Sequence, residues 1–357
     1  MKRVAFVFMV LILFFSVTAD CFAQDRYYIT RFDYSPGFDG LINRWGNMAV
    51  NTNPLADHLS FYWNVKDDEI IQVGYGNLWP GNYPTTKSFA SGINDNNWII
   101  GNYDPNVFEQ SDYSDRVFIW DRKNGTRDLG NFGQKKVEAV GLNNNGVTII
   151  NGDMVAYIWD EKNGLREYPG LERGVDINNN GEIGTVLGFL DGKAAYFKAG
   201  QGTRTIDGMD TPTALNDRDD FVGYYASEVS SRFFGLLWNE DDGFTELGSI
   251  FPTDINNKGA IVGYYQSDAK IWDKEYGIID LNELLVNAPA GTWLERALGI
   301  NDAGQIIAYG QTYVPAIGDQ VKGIFYLTTP EPLSMIMYAL GGLGIAIARR
   351  RKSAMPK

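Results

Sequence analysis

The chain has 357 residues and a formal net charge of −13, from 31 basic and 44 acidic side chains, with one His (His58) and one Cys (Cys21). This charge argues against nucleic-acid binding, whose affinity comes mainly from Lys and Arg on phosphates. The single His and single Cys exclude a multi-His or Cys-rich metal centre and an internal disulfide, and no cofactor is expected.

The chain opens with Lys2 and Arg3, an apolar run over 4–17, and Cys21-Phe22-Ala23, with small side chains at the two positions a signal peptidase reads. Residues 1–23 are therefore expected to form a signal helix, cut after Ala23 once the chain has crossed the inner membrane. Ala19 is the alternative cut. Cys21 as a lipoprotein cysteine fits less well, because Asp20 stands where a small residue is wanted.

From 24 to 328 one signature recurs: a small residue, an aliphatic, Asn, a polar turn often with Gly, then an aliphatic pair. Gly92-Ile93-Asn94, Gly141-Leu142-Asn143, Asp176-Ile177-Asn178, Ala214-Leu215-Asn216, Asp254-Ile255-Asn256 and Gly299-Ile300-Asn301 carry it, and Leu41-Ile42-Asn43 is a degenerate first copy. Aliphatic alternation predicts strands, and runs such as Asn144-Asn145-Gly146 predict the tight turn of a hairpin. In the fourth unit Ile183-Gly184 is read as opening the second strand. A third apolar run follows each hairpin and often ends in Trp, at Trp63, Trp120, Trp159, Trp238 and Trp272; a polar turn and a closing strand complete the unit.

Four short strands repeated seven times at roughly 40 residues predict an all-β fold, a seven-bladed β-propeller of four-stranded antiparallel blades. The strand-3 Trp residues are expected to pack between blades. The seventh unit ends near Leu327 without a fourth strand, and the unassigned run Tyr27-Tyr28-Ile29-Thr30-Arg31-Phe32 is predicted to complete that blade. An open solenoid of the same units is the alternative. Over nearly all of 26–327 the pattern resembles the HAF family of extracellular repeats. The family's His-Ala-Phe triplet is not kept: the corresponding runs begin Val117, Val155, Ala194, Phe234 and Ala269. The resemblance implies an extracytoplasmic repeat domain and no catalytic residues.

The segment 329–352 reads Pro330-Glu331-Pro332, an uncharged stretch over 333–348, then Arg349-Arg350-Arg351-Lys352. The stretch is expected to be a transmembrane helix, somewhat short of the roughly 20 residues of a full span, with the basic end in the cytoplasm. The three parts in this order resemble the PEP-CTERM sorting signal of Gram-negative bacteria. That resemblance implies recognition at Pro330, Glu331 and Pro332 by an exosortase, an integral-membrane transpeptidase, a membrane stop at Arg349, Arg350 and Arg351, and a destination at the cell surface or in an exopolysaccharide matrix.

The long insertions at 74–91, 102–115, 226–231, 282–296 and 311–320 fall in two classes of connection that share one face of a propeller. They carry Trp79, Tyr83, Tyr103, Phe108, Tyr113, Trp293 and Tyr313, the candidate binding face for a polysaccharide or a matrix protein. No residue is assigned a catalytic role in this reading. His58 stands alone and reads as a surface or loop-packing residue. The competing expectation is a carbohydrate-active enzyme, a glycoside hydrolase or lyase, with Asp176 and Asp254 on inner strands two blades apart. Asp176 also opens a run resembling a calcium loop, but its twelfth position is Leu187 where a bidentate Glu is needed, and no metal is expected.

Overall fold

The computed structural model describes residues 27–32, 37–52, 59–75, 87–105, 116–153, 155–168, 170–227, 232–286 and 288–329. The expected signal helix with Ala23, the sorting signal with its transmembrane helix, and His58 lie outside the described residues. Among the described residues no helix is long and apolar enough to cross a membrane.

The alternating apolar runs pair in sequence order into antiparallel sheets. Six four-stranded sheets cover 37–73, 87–130, 138–167, 173–205, 211–248 and 251–280, and a seventh combines 293–328 with the N-terminal strand Tyr27–Arg31. The seven-bladed propeller is the observed architecture, as predicted. In the inner hairpin of blade 1, the N–H of Asn43 donates to the carbonyl of Asn47 and that of Gly46 to the carbonyl of Asn43. Gly46 has φ +81, the left-handed conformation that ends a three-residue hairpin loop. Asn97, Gly146, Asp219, Gly259 and Gly304 hold the same place with positive φ, which explains why only Gly, Asn or Asp occupies it.

Blade 4 departs from the expected register. The N–H of Asn178 donates to the carbonyl of Thr185, and the second strand is Val186–Leu190. Ile183-Gly184 therefore lies in a longer connection and does not open that strand. The positive φ values at Gly181 and Gly184 accommodate the extra residues.

The innermost strand of every blade carries a register shift, between Pro252 and Asp254 in blade 6 for example. The bulge presses this strand onto its neighbour: a Cβ on Gly263 would sit 2.1 Å from the carbonyl oxygen of Phe251. The apolar core is divided among the spaces between blades. Trp120 of blade 2 lies 5.4 Å from Tyr62 of blade 1, and Trp63, Trp159 and Trp272 are also buried. A ring burying roughly 200 Å² contributes about 5 kcal/mol by area, against about 1 kcal/mol for a typical hydrogen bond. One ring buried between blades therefore outweighs a single hydrogen bond across the same gap.

The ring closes as expected. Tyr27–Arg31 pairs antiparallel with Asp319–Thr328, with Ile29 opposite Leu327. The N–H of Phe32 donates to the carbonyl of Ile324, and the Phe32 ring lies 5.0 Å from Trp63 of blade 1. One strand was not foreseen: Leu285–Val286 runs parallel to Tyr27 and Tyr28 and covers the start of the outer edge of blade 7, where unpaired backbone groups would otherwise invite another chain.

Candidate functional site: tunnel and loop face

The seven signature Asn residues, which the repeat pattern places just before each turn, have a role of their own. All are buried, with exposures between 2% and 5%. In blade 1 the Oδ1 of Asn43 accepts from the N–H groups of Trp45 and Asn47, at 3.1 and 3.0 Å, and so fixes its own turn. The Nδ2 of Asn43 donates to the carbonyl of Asn94 in the next blade, and Asn94 to that of Asn143. The series continues from Asn143 to Asn178, Asn178 to Asn216, Asn216 to Asn256, and Asn256 to Asn301. Asn301 donates to Asn43 at 3.0 Å, completing a circle of amides around the axis.

The following residue forms a second, open ring. The N–H of Asp95 donates to the side chain of Asn144, that of Asn144 to Asn179, Asn179 to Asp217, Asp217 to Asn257, and Asn257 to Asp302. Arg44 donates its N–H to Asp95 but has no acceptor of its own to offer, so the ring opens between blades 7 and 1.

These two rings line one end of the central tunnel, a cavity of about 470 Å³ whose wall includes Asp176 and Asp254. The structure brings these two carboxylates into one space, two blades apart. Asp176 accepts from the N–H of Ile177 at 2.8 Å and from Leu215 of blade 5 at 3.0 Å. Asp254 accepts from Ile255 and from Ile300 of blade 7, both at 2.8 Å. Burial pushes the carboxyl of each up to about 7, against the stabilising pull of these N–H groups, and the charge of Asp176 adds to the rise at Asp254. Asp39, which sequence reasoning passed over, is raised to about 6 by burial, with the Gly40 N–H opposing. Chemically the tunnel pair can hold and exchange protons near neutrality, while each oxygen also clamps backbone. Among the described residues no group of three or more His, Cys, Asp or Glu is placed to hold a metal ion.

On the loop face, Trp293 and Tyr313 of blade 7 are each 42% exposed, and the Trp293 Nε1 donates to the carbonyl of Ser267 in blade 6. Tyr103 is a correction. It is buried, its ring lies 4.4 Å from Tyr75, and its hydroxyl accepts from the Nε of Arg116, because it sits at the end of the strand Ile99–Asp104 and not in the loop beyond. Trp79, Tyr83, Phe108 and Tyr113 lie outside the described residues. Sequence reasoning missed Phe89, 48% exposed on the inner strand of blade 2, and the aromatic series Phe233, Tyr224, Phe251 and Tyr264, which Arg296 caps at 4.7 Å.

A signal for this series was present in the repeat. Eight residues after the signature Asn, blades 1 to 3 carry Asn51, Asn102 and Asn151, while blades 5 to 7 carry Tyr224, Tyr264 and Tyr309. Asn51 grips both the N–H and the carbonyl of Ala90, and Asn151 does the same to Gly174. Where Tyr224 and Tyr264 replace Asn, ring contacts with Phe251 and Arg296 of the next blades replace the amide grip.

No protein-family profile and no curated protein matches the sequence. Solved structures do match in fold. Acylaminoacyl peptidase from Pyrococcus horikoshii is similar at a TM-score of 0.52 and 10% identity, over 87% of this chain and 55% of that one. The chain thus spans about half the length of that enzyme. The Dos1 propeller is similar at 0.50 and 11%, over 85% and 94%. A gluconolactonase from Xanthomonas campestris is similar at 0.40 and 10%, over 84% and 99%. Identities this low show the fold alone, and the class they share with this chain is the β-propeller. A fold likeness of this kind does not decide between catalysis and binding.

Proposed function

We propose that this chain is an exported β-propeller, sorted to the cell surface through its C-terminal signal, that binds or scaffolds the exopolysaccharide matrix without catalysis of its own. In this reading an exosortase acts at Pro330, Glu331 and Pro332, and Arg349, Arg350 and Arg351 hold the tail at the membrane until it does. The observation that supports binding is the pair Trp293 and Tyr313, large aromatic side chains each 42% exposed on the neighbouring strands Trp293–Ile300 and Ile306–Val314. Aromatic faces with a polar rim suit sugar rings or a matrix protein. The test is retention of the chain on exopolysaccharide from the cells that make it. Wild type is expected to be retained, and Trp293→Ala with Tyr313→Ala to elute about tenfold earlier in competing soluble polymer. Elution of wild type with an unrelated propeller would overturn the binding role.

A second reading rests on one observation, the placement of Asp176 and Asp254 on the wall of one tunnel. It makes the chain a glycoside hydrolase or lyase. Release of reducing sugar by wild type, abolished in Asp176→Asn and Asp254→Asn, is the result that would carry it.

A further inference from the structure

Away from Trp293 and Tyr313, blades 2 to 4 share a groove of about 700 Å³, within the roughly 300–1000 Å³ range of small-molecule sites. Its wall holds the exposed ring of Phe89 among Lys136, Glu138, Asp153, Glu172 and Arg173. The groove is held in shape by side chains that bond the backbone of neighbouring strands and blades. Asn102, at its floor, donates to the carbonyl of Val137 at 2.9 Å and accepts from the N–H of Ala139 at 2.8 Å, tying blade 2 to blade 3. Asn151 ties blade 3 to blade 4 through Gly174. The Asp153 carboxylate accepts from the N–H of Lys136 at 3.1 Å, and the Glu138 carboxylate meets Arg173 at 3.1 Å. Phe89 and Glu138 stand on strands, so their positions are set by the scaffold.

We infer that this groove is a saccharide subsite, with Phe89 as the stacking platform and the Glu138–Arg173 pair and Asp153 as hydroxyl partners, and that it takes neutral hexose chains. The inference rests on the matrix-binding reading above and places a site within it. A pyranose ring offers a face of C–H groups to an aromatic ring and an edge of hydroxyls that both donate and accept. Those hydroxyls satisfy carboxylates and a guanidinium alike. A strongly charged ligand would meet side chains of its own sign here, three acidic and two basic among those named, whereas a purely apolar one would strip water from these charged groups and give no hydrogen bond in return.

The test uses the exported chain and two supports: whole exopolysaccharide from the producing cells, and immobilised cellohexaose, mannohexaose and laminarihexaose, with an alginate hexamer as the anionic control. Wild type is expected to bind the exopolysaccharide and at least one neutral hexasaccharide more tightly than alginate. Phe89→Ala and Glu138→Gln are each expected to weaken that hexasaccharide binding tenfold or more with little change in unfolding temperature, because Phe89 is half in solvent and the Glu138–Arg173 pair is mostly exposed. Retention on exopolysaccharide with Phe89→Ala indistinguishable from wild type, or with no neutral hexasaccharide bound, overturns the groove and leaves the broader reading standing. Absence of retention on every support overturns both.

Discussion

The side-chain amide of Asn301 donates to the backbone carbonyl of Asn43, 258 residues away in sequence, across the seam between the last blade and the first. The same bond joins every other pair of neighbouring blades, so the seam is secured as the interior of the ring is. In Asn301→Ala, the Asn43 carbonyl and the N–H groups of Ala303 and Gln305 lose their partner. Each buried group left unsatisfied costs about 1–3 kcal/mol, and partial access of water to the turn reduces the sum. A loss of about 3–5 kcal/mol is expected in urea unfolding. A loss below about 1 kcal/mol would show that the belt is incidental to ring closure.

Closure also depends on Phe32, which carries the N-terminal strand into the core of blade 1 beside Phe61 and Trp63. Phe32→Ala is expected to lower stability by about 3–5 kcal/mol. Tyr28→Ala, on the same strand but 42% exposed, is expected to change it by less than about 1 kcal/mol. Thermal unfolding of the two variants side by side checks this, and a loss below about 1 kcal/mol in both would place the N-terminal strand outside the cooperative unit.

The tunnel carboxylates make stability depend on pH. Asp176 and Asp254 bind protons up to about 7 when folded, whereas an unfolded Asp ionises near 4. Between these values the folded state holds more protons, so their contribution is fully present below about pH 4 and is lost as pH rises through 7. Asp121, Asp128 and Asp160, held below the usual carboxylate range despite burial by bonds to Asn124, Arg116 and Asn163 respectively, act in the opposite direction at acid pH. Comparison with Asp254→Asn isolates the tunnel. The unfolding temperature of the variant is expected to rise relative to wild type between pH 5 and pH 8. Parallel curves would mean that Asp254 titrates as an ordinary surface carboxylate.

Much of this architecture was legible in the repeat. The period, the turn residues and the missing fourth strand of unit seven each follow from local chemistry, and the unused strand at the other end implied that 27–32 completes that blade, though not the register that sets Ile29 opposite Leu327. What stayed hidden depends on contacts across blades. Asn94 reads locally as a turn residue because its partner, the carbonyl of Asn143, lies one blade away. Tyr103 reads as a loop aromatic because nothing in its neighbourhood announces Tyr75. The register of blade 4 was misplaced because Ile183 imitates the aliphatic that opens a strand elsewhere. Gly263 repeats in sequence without explanation until the bulge at Pro252 brings the Phe251 carbonyl against it.

The surface-sorted role is tested most directly by intact mass and membrane fractionation of the chain made in a host with and without an exosortase. The account predicts a chain cut after Ala23 in both hosts, with the tail lost near Pro332 only where the enzyme is present and the shortened protein released from the inner membrane. An unshortened C-terminus in both hosts, with the chain held in the membrane fraction, would contradict it.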